Sequence, residues 1–279
     1  MIYHGRQKYT VKAMCLFFGV SRAAYYAWVR QLTHADRDDE RLDWVREAFG
    51  TSHQTYGYRR IRLWLQRHRN VWLNHKTVLR LMRKLGIRSI ARRRKTYWSG
   101  SGVTMLHRYP NVLQRDFAAV QPNQKWVTDV TYVRTQQGWA YLSTIKDLYD
   151  GFIVAHQVSS QNSWALIRRT LEQARQQVDQ TAGVILHSDQ GVLYCSKDYH
   201  RLTQELQAQP SMSRRGNCWD NAPMENFFSH LKEEALRHYK PLTLEQTRQV
   251  IDEYIHFYNY ERIQLKTKLT PYERRCQFH

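Results

Sequence analysis

The chain has 279 residues, 42% of them apolar, which allows roughly one or two domains with a buried core. Its formal net charge of +19 is unevenly placed: residues 1–119 hold 24 Lys and Arg against 7 Asp and Glu, a net of +17, whereas residues 120–279 hold 19 against 17, a net of +2. No apolar run approaches the about 20 residues of a membrane span and no signal peptide is visible, so the basic N-terminal part reads as a polyanion-binding region, with a basic face kept for solubility as the plainer alternative.

Residues 1–35 read as a helix-turn-helix-like segment. Thr10 is placed to cap a helix carrying Val11, Met14, Cys15 and Phe18 on one face, Gly19-Val20-Ser21 breaks it, and Ser21 caps a second helix through Ala24, Tyr25, Trp28 and Val29. Residues 36–90 form a second such unit. Leu42, Val45 and Phe49 mark one helix, and TYGYRRIRLWLQRH a second that bears Arg59 and Arg60. Asn74 caps a third helix, whose apolar face is Val78, Leu81, Met82 and Leu85. Lys76, Arg80, Arg83 and Lys84 lie mostly on its other side, as a helix needs if one side packs and the other meets DNA; an ordinary amphipathic surface helix has the same pattern. Residues 91–119 read as a basic linker containing Arg92, Arg93, Arg94 and Lys95, a segment able to track a phosphate backbone or to act as a solvated tether.

From Gln124 the pattern changes to period two. KWVTDVTYVRT, GWAYLSTIKDLY and GFIVAHQVSS read as three hairpin-linked strands, with turns at Gln136-Gln137-Gly138 and Asp150-Gly151. A helix through Trp164, Ile167, Leu171, Ala174 and Val178 follows, then a buried strand GVILHSD, a helix over 196–206 and a strand over 208–213. Asp220 or Asn221 caps the next helix, whose apolar face is Met224, Phe227, Phe228, Leu231 and Ala235. The fold class expected is α/β: a mixed-sheet core over 120–238, preceded by an all-α region and followed by a helical tail over 239–279.

Three acids fall at places suited to chemistry. Asp129 lies inside the alternating run KWVTDVTYV, Asp189 ends the apolar run GVILHSD, and Glu225 opens a helix 36 positions later. Displacement at a phosphodiester builds negative charge on the phosphoryl and leaving oxygens, and two metal ions about 4 Å apart can activate the nucleophile and stabilise the leaving group. Magnesium takes only a few protein carboxylates and completes its shell with water and phosphate, so three acids from different elements suffice. An Asp in a strand is costly to bury without a partner, which singles out Asp129. Asp189 also suits a plain turn and Glu225 a plain helix-dipole role, and spacing by itself leaves these open. Lys232, seven residues after Glu225 on the same helix face, is placed to reach a DNA phosphate or to be solvated. The loop 212–223, with Arg214, Arg215, Asn217 and Trp219, reads as a DNA-contacting flap or a polar connection. His156 and His187 read as hydrogen-bonded structural residues. None of Cys15, Cys195, Cys218 and Cys276 forms a C-x-x-C pair, so a zinc knuckle is unsupported and the thiols suit a reducing cytosol.

At these residues the chain resembles a known family. KWVTDVTY, HSDQG-x-x-Y and GNCWDNAPMENFFSHLK resemble the three acidic motifs of DDE transposases with an integrase-type core, and most closely the second-frame (OrfB-type) transposases of the insertion sequence three family. The 35 residues between Asp189 and Glu225, and the basic residue seven after Glu225, match that family's spacing. TYGYRRI and WLNHKTVLRLMRKLGI resemble its upstream helix-turn-helix module, and YNYERIQLKTKLTPYE its C-terminal signature. Gln190 stands where the family often has Arg, and Cys218 where Pro is common.

The resemblance implies a ribonuclease-H-like core, with Asp129, Asp189 and Glu225 as catalytic and metal-binding residues and Lys232 close to DNA. It implies magnesium, with manganese as a substitute, and cutting at the terminal inverted repeats of a mobile element followed by strand transfer to target DNA. It also implies a homo-oligomer on double-stranded DNA, an upstream-frame protein or fusion segment as partner, which the abrupt start MIYHGRQKYT fits, and a cytoplasmic protein associated with the nucleoid when bound to DNA. A metal-dependent DNA nuclease without strand transfer, or a non-catalytic DNA-binding repressor, are the competing functions.

Overall fold

The computed structural model describes residues 1–33, 38–90, 108–178, 180–237, 239 and 241–278. Its first helices are α1 (Ile2–Gly5), α2 (Val11–Phe17) and α3 (Arg22–Thr33). The expected caps are in place: the Thr10 and Ser21 hydroxyls accept the N–H groups of Ala13 at 3.4 Å and Ala24 at 3.1 Å. Three further helices follow, α4 (Asp39–Thr51), α5 (Tyr58–Arg69) and α6 (His75–Lys84). Each shows its apolar stripe to the others: Val45, Ala48 and Phe49, then Ile61 and Leu65, then Val78, Leu81 and Met82, all buried. Asn70 stops α5 in the left-handed conformation, its N–H returning to the Leu65 carbonyl, and Asn74 caps α6 by accepting the Lys76 N–H at 2.9 Å.

The core is a five-stranded sheet of β1 (Lys125–Thr135), β2 (Gly138–Asp147), β3 (Ile153–Ser159), β4 (Ile185–Ser188) and β5 (Gln209–Met212), in the order β3-β2-β1-β4-β5. The first three strands are antiparallel neighbours, as the hairpin turns predict, and β4 and β5 join in parallel. Helices α7 (Trp164–Gln176) and α8 (Lys197–Glu205) close one apolar cluster around Trp126, Ile145, Leu186 and Tyr199. Helices α9 (Ala222–Leu231) and α10 (Leu244–Tyr260) bury the other, around Val127, Leu142, Phe227 and Ile251. The fold is the ribonuclease-H-like one expected, with an all-helical region before it.

That second cluster does not end at the sheet. It is continuous with the apolar faces of α4, α5 and α6, so the helical region packs on the core. The C-terminal segment makes the polar part of the joint. Tyr56 accepts the Ile263 N–H at 2.9 Å, Arg60 Nε donates to the Ile263 carbonyl at 2.9 Å, and Arg67 pairs with Glu273. Glu273 opens α11 (Pro271–Cys276) in a reciprocal capping box with Thr270. Of the expected linker, residues 91–107 lie outside the described residues, including Arg92, Arg93, Arg94 and Lys95. Residues 108–119 run along β5: the Ser211 hydroxyl accepts the N–H groups of Val112 at 3.0 Å and Leu113 at 3.1 Å.

Candidate active site

The sheet itself brings two of the three acids together. β1 and β4 pair only over Lys125–Val127 and Ile185–His187, and the last partners are Val127 and His187. Asp129 and Asp189 each follow that pair by two residues. Side chains in a strand alternate, so both carboxylates leave on the side of Val127, where α9 packs. β4 stops at Ser188 whereas β1 continues to Thr135 beside β2 alone, so the strands part at the two acids. A crevice where neighbouring strands part is where open α/β sheets hold ligands.

Short polar contacts orient both groups. Asp129 Oδ1 accepts the Val130 N–H at 2.7 Å, and Asp189 Oδ1 accepts the Gly191 N–H at 2.8 Å. A Cβ on Gly191 would lie 2.8 Å from Asp189 Oδ1, so only glycine lets this loop close on its own carboxylate. Below them Tyr194 is buried, its hydroxyl 3.3 Å from Thr128 Oγ1. His187, as expected, is structural: its ring nitrogens meet Ser211 Oγ at 2.9 Å and Ser213 Oγ at 3.1 Å, and burial pushes it down to about 4. Gln190, one of the departures from the family pattern, donates to the Ser213 carbonyl at 3.0 Å and ties the same loop to the end of β5.

Glu225 sits in the first turn of α9, on its exposed side. Asn221 Nδ2 donates to the Thr128 carbonyl at 3.2 Å and Lys146 Nζ to the Pro223 carbonyl at 3.3 Å, pinning the start of α9 across β1 and β2. Of the two caps the sequence offers, Asn221 occupies the N-cap position, without a side-chain cap bond, and Asp220 does not cap the helix. It is buried and receives Arg214, at 2.9 Å through each of two guanidinium nitrogens, Arg115 at 2.6 Å and Asn111 at 3.0 Å. The Arg214 hydrogen bond outweighs burial and holds the Asp220 carboxyl well below the ordinary range.

The charges of the other two acids are felt at Asp129. Burial raises the Asp129 carboxyl well above its ordinary value, and the charges of Asp189 and then Glu225 raise it further; the Val130 N–H and Lys232 act against them. Burial also raises Asp189 and, on the more open helix start, Glu225. Lys232 donates to Thr131 Oγ1 at 2.6 Å; burial lowers its ammonium and Asp129 pulls it back up. At Lys232 the helix opens into a π turn, Lys232–Leu236, an irregularity frequent at functional sites.

Asp129, raised by burial and by the charges of Asp189 and Glu225, offers with them hard oxygen donors that fit a divalent cation such as magnesium, which would offset that charge. The side chains are not closed into a finished shell: among the described residues, no group of three or more His, Cys, Asp or Glu is placed to hold a metal ion. Asp129 and Asp189 are the pair the sheet sets together, with Glu225 facing them from α9.

The basic residues divide by what they touch. Arg59, Lys76, Arg83, Lys84 and Arg215 are exposed. Arg80 is exposed but forks onto the buried Asp38 at 2.5 and 3.0 Å. Arg60 and Arg214, expected at a DNA face, are engaged within the fold by the Ile263 carbonyl and the buried Asp220. The reason is the same for both: a buried carbonyl or carboxylate without a donor is costly, and a guanidinium satisfies it. Gly191, Tyr194, Asn221 and the Asp220–Arg115 pair escaped assignment to the site. The only signal for Gly191, Tyr194, Asp220 and Asn221 was their place inside the acidic motifs; Arg115 lies outside them and carried none.

A five-stranded mixed sheet carrying acids where its parallel strands part, with a helix acid above them, is the integrase-type core. The integrase core domain family matches residues 119–218, an HTH-like domain residues 36–95, and a second integrase core domain family residues 225–278. A 31 kDa protein of insertion element IS600 from Shigella sonnei is 39% identical over 89% of this chain and 92% of its own length. The putative transposase InsK of element IS150 from Escherichia coli is 35% identical over 98% and 95%, and the transposase InsF of IS3A, also from Escherichia coli, 33% over 89% and 87%. The fold is also that of a chain in the simian T-cell lymphotropic virus intasome, at 12% identity and a TM-score of 0.51 over 76% of this chain and 73% of that one. The chain belongs to the OrfB-like DDE transposases of the insertion sequence three family. No helix among the described residues is long and apolar enough to cross a membrane.

Proposed function

We propose that this transposase cleaves DNA at the ends of its element and transfers the freed 3′-hydroxyl strand to target DNA, with Asp129, Asp189 and Glu225 as its catalytic carboxylates. The observation that carries this reading is that Asp129 and Asp189 each stand two residues beyond the Val127–His187 pair, beneath the helix that bears Glu225. Magnesium, or manganese in its place, would be held by these three acids and would activate the attacking oxygen and stabilise the leaving one. The protein's own part is to hold the acids close at a cost in repulsion, and to offer the Lys232 ammonium beside Asp129 for a DNA phosphate. Thr131 keeps that ammonium in place until DNA arrives.

Arg59, Lys76, Arg83 and Lys84 on the helical region supply a sequence-independent phosphate contact, and Arg215 a second one beside the site. Arg80 contributes only as far as Asp38 releases it. The run Arg92–Lys95, outside the described residues, adds four further basic side chains in the sequence. Joining two ends requires two DNA sites held at once, which supports action as a homo-oligomer together with an upstream-frame segment. Incubation with element-end DNA and magnesium tests the reading: joined products are expected. Cleaved but unjoined DNA would make the protein a nuclease, and binding alone a repressor.

A further inference from the structure

Beside Lys232 the surface opens into a groove of about 430 Å³ between the far end of β1 and the π turn after α9. Tyr132, 59% exposed, lines it, and Trp139, 46% exposed, stands against Tyr132 just beyond the groove's own lining. They are not scattered. Trp139 lies opposite Arg134 across the β1–β2 ladder, and the two rings meet edge to face with centroids 5.2 Å apart. Each ring also carries a cation: the Arg134 guanidinium lies 5.2 Å from the Trp139 ring and the Lys232 ammonium 5.2 Å from the Tyr132 ring. Tyr239, also exposed, lines the opposite side with Arg237, which is paired with Glu233.

An exposed aromatic pair gains nothing from its own burial, and Arg134 and Lys232 give the groove a positive lining. A wall of that composition suits a ligand with flat π-faces and a negatively charged backbone. Duplex DNA offers the backbone but hides its base faces in the stack; an unpaired nucleotide offers both. Lys232 belongs to the groove and, through Thr131, to the neighbourhood of Asp129, so a strand threaded here continues to the acids.

We propose that Tyr132 and Trp139 form a stacking platform for an unpaired nucleobase of the DNA strand that lies next to the reacting phosphate, with Arg134 moving from the indole to the backbone of that nucleotide. The inference rests on the catalytic reading of Asp129, Asp189 and Glu225 for its place in the reaction, but its test is read by binding.

The full-length protein is titrated, with EDTA present, against a blunt duplex and against the same duplex carrying a short single-stranded oligothymidine extension with 2-aminopurine in it. Stacking quenches the 2-aminopurine, and the wild type is expected to bind the extended duplex more tightly than the blunt one. Tyr132→Ala and Trp139→Ala are expected to bind the extended duplex about tenfold more weakly and to lose the quenching, with blunt-duplex affinity unchanged. Tyr132→Phe and Trp139→Phe keep a ring and should retain both, which separates stacking from a folding defect. Alanine variants that bind the extended duplex like wild type, or lose both duplexes equally, overturn the platform. Unchanged cleavage by Asp129→Asn would instead overturn the catalytic reading and leave this binding result standing.

Discussion

The hydroxyl of Tyr56 joins parts of the chain 207 residues apart: it accepts the Ile263 N–H at 2.9 Å, and it donates to the Glu261 carbonyl at 3.1 Å. Tyr56 belongs to the connection between α4 and α5, and Ile263 to the segment after α10. The pair therefore fastens the helical region to the core.

Tyr56→Phe removes both bonds without changing the ring. A buried N–H and a carbonyl are left without this partner, and a loss of about 1–3 kcal/mol in unfolding free energy is expected. Denaturant unfolding of the full chain measures it. A variant as stable as wild type would mean that water or a shifted side chain replaces the phenol.

Asp129→Asn, Asp189→Asn and Glu225→Gln are each expected to abolish metal-dependent strand cleavage and to leave DNA binding in place. A variant keeping more than about a tenth of the wild-type rate, or roughly 1.4 kcal/mol of barrier, would lose its place in the site. Thermal unfolding gives a second readout for Asp129. Burial and the charges of Asp189 and Glu225 oppose its ionisation, so the neutral asparagine should be at least as stable as wild type at pH 7 without metal. A lower melting temperature would contradict that.

Gly191→Ala places a methyl group 2.8 Å from Asp189 Oδ1, closer than the two can stay. The carboxylate is held by the loop's own N–H, so the expected response is a displaced Asp189. Cleavage should fall at least about tenfold, a shift of roughly 1.4 kcal/mol in barrier, while binding and circular dichroism stay as in wild type. Undiminished cleavage would show that Asp189 can be moved without consequence.

Glu234, on the π turn, is buried with Arg262, which reaches its two oxygens at 2.6 and 2.8 Å; the Tyr254 hydroxyl donates at 2.8 Å, and His230 lies at 3.0 Å. Burial alone would raise this carboxyl, but the hydrogen bonds from His230 and Arg262 outweigh it and hold it well below its ordinary 4.5. A depressed carboxyl contributes stability that is fully present above the unfolded value and lost as pH falls toward the folded one. Stability measured by denaturant should therefore drop as pH is lowered from 4.5, and Glu234→Gln should lack that component. The same variant leaves Arg262 buried without its counter-charge, a cost of about 3–5 kcal/mol near neutral pH. Parallel acid profiles for variant and wild type would rule out the linkage.

Local patterns carried most of the fold. Thr10, Ser21 and Asn74 cap their helices because a short oxygen-bearing side chain at that place satisfies an N–H from inside the same turn. The three hairpin strands, the buried strand just before Asp189 and the helix with Glu225 in its first turn were legible because periods of 2 and 3.6 are properties of neighbouring residues. Asp129, Asp189 and Glu225 were visible for the same reason, each at the end or face of a readable element.

What only the tertiary structure decided is which partners those residues meet. That Asp129 and Asp189 face one crevice depends on β4 stopping at Ser188 while β1 runs on to Thr135, a matter of pairing between segments far apart in the chain. Arg60 and Arg214 look like Lys76 and Arg83 in the sequence, yet the first two are spent on the Ile263 carbonyl and the Asp220 carboxylate. A guanidinium meets a DNA phosphate and a buried oxygen with the same charge and the same donors. Only the packing around it determines which of the two it finds.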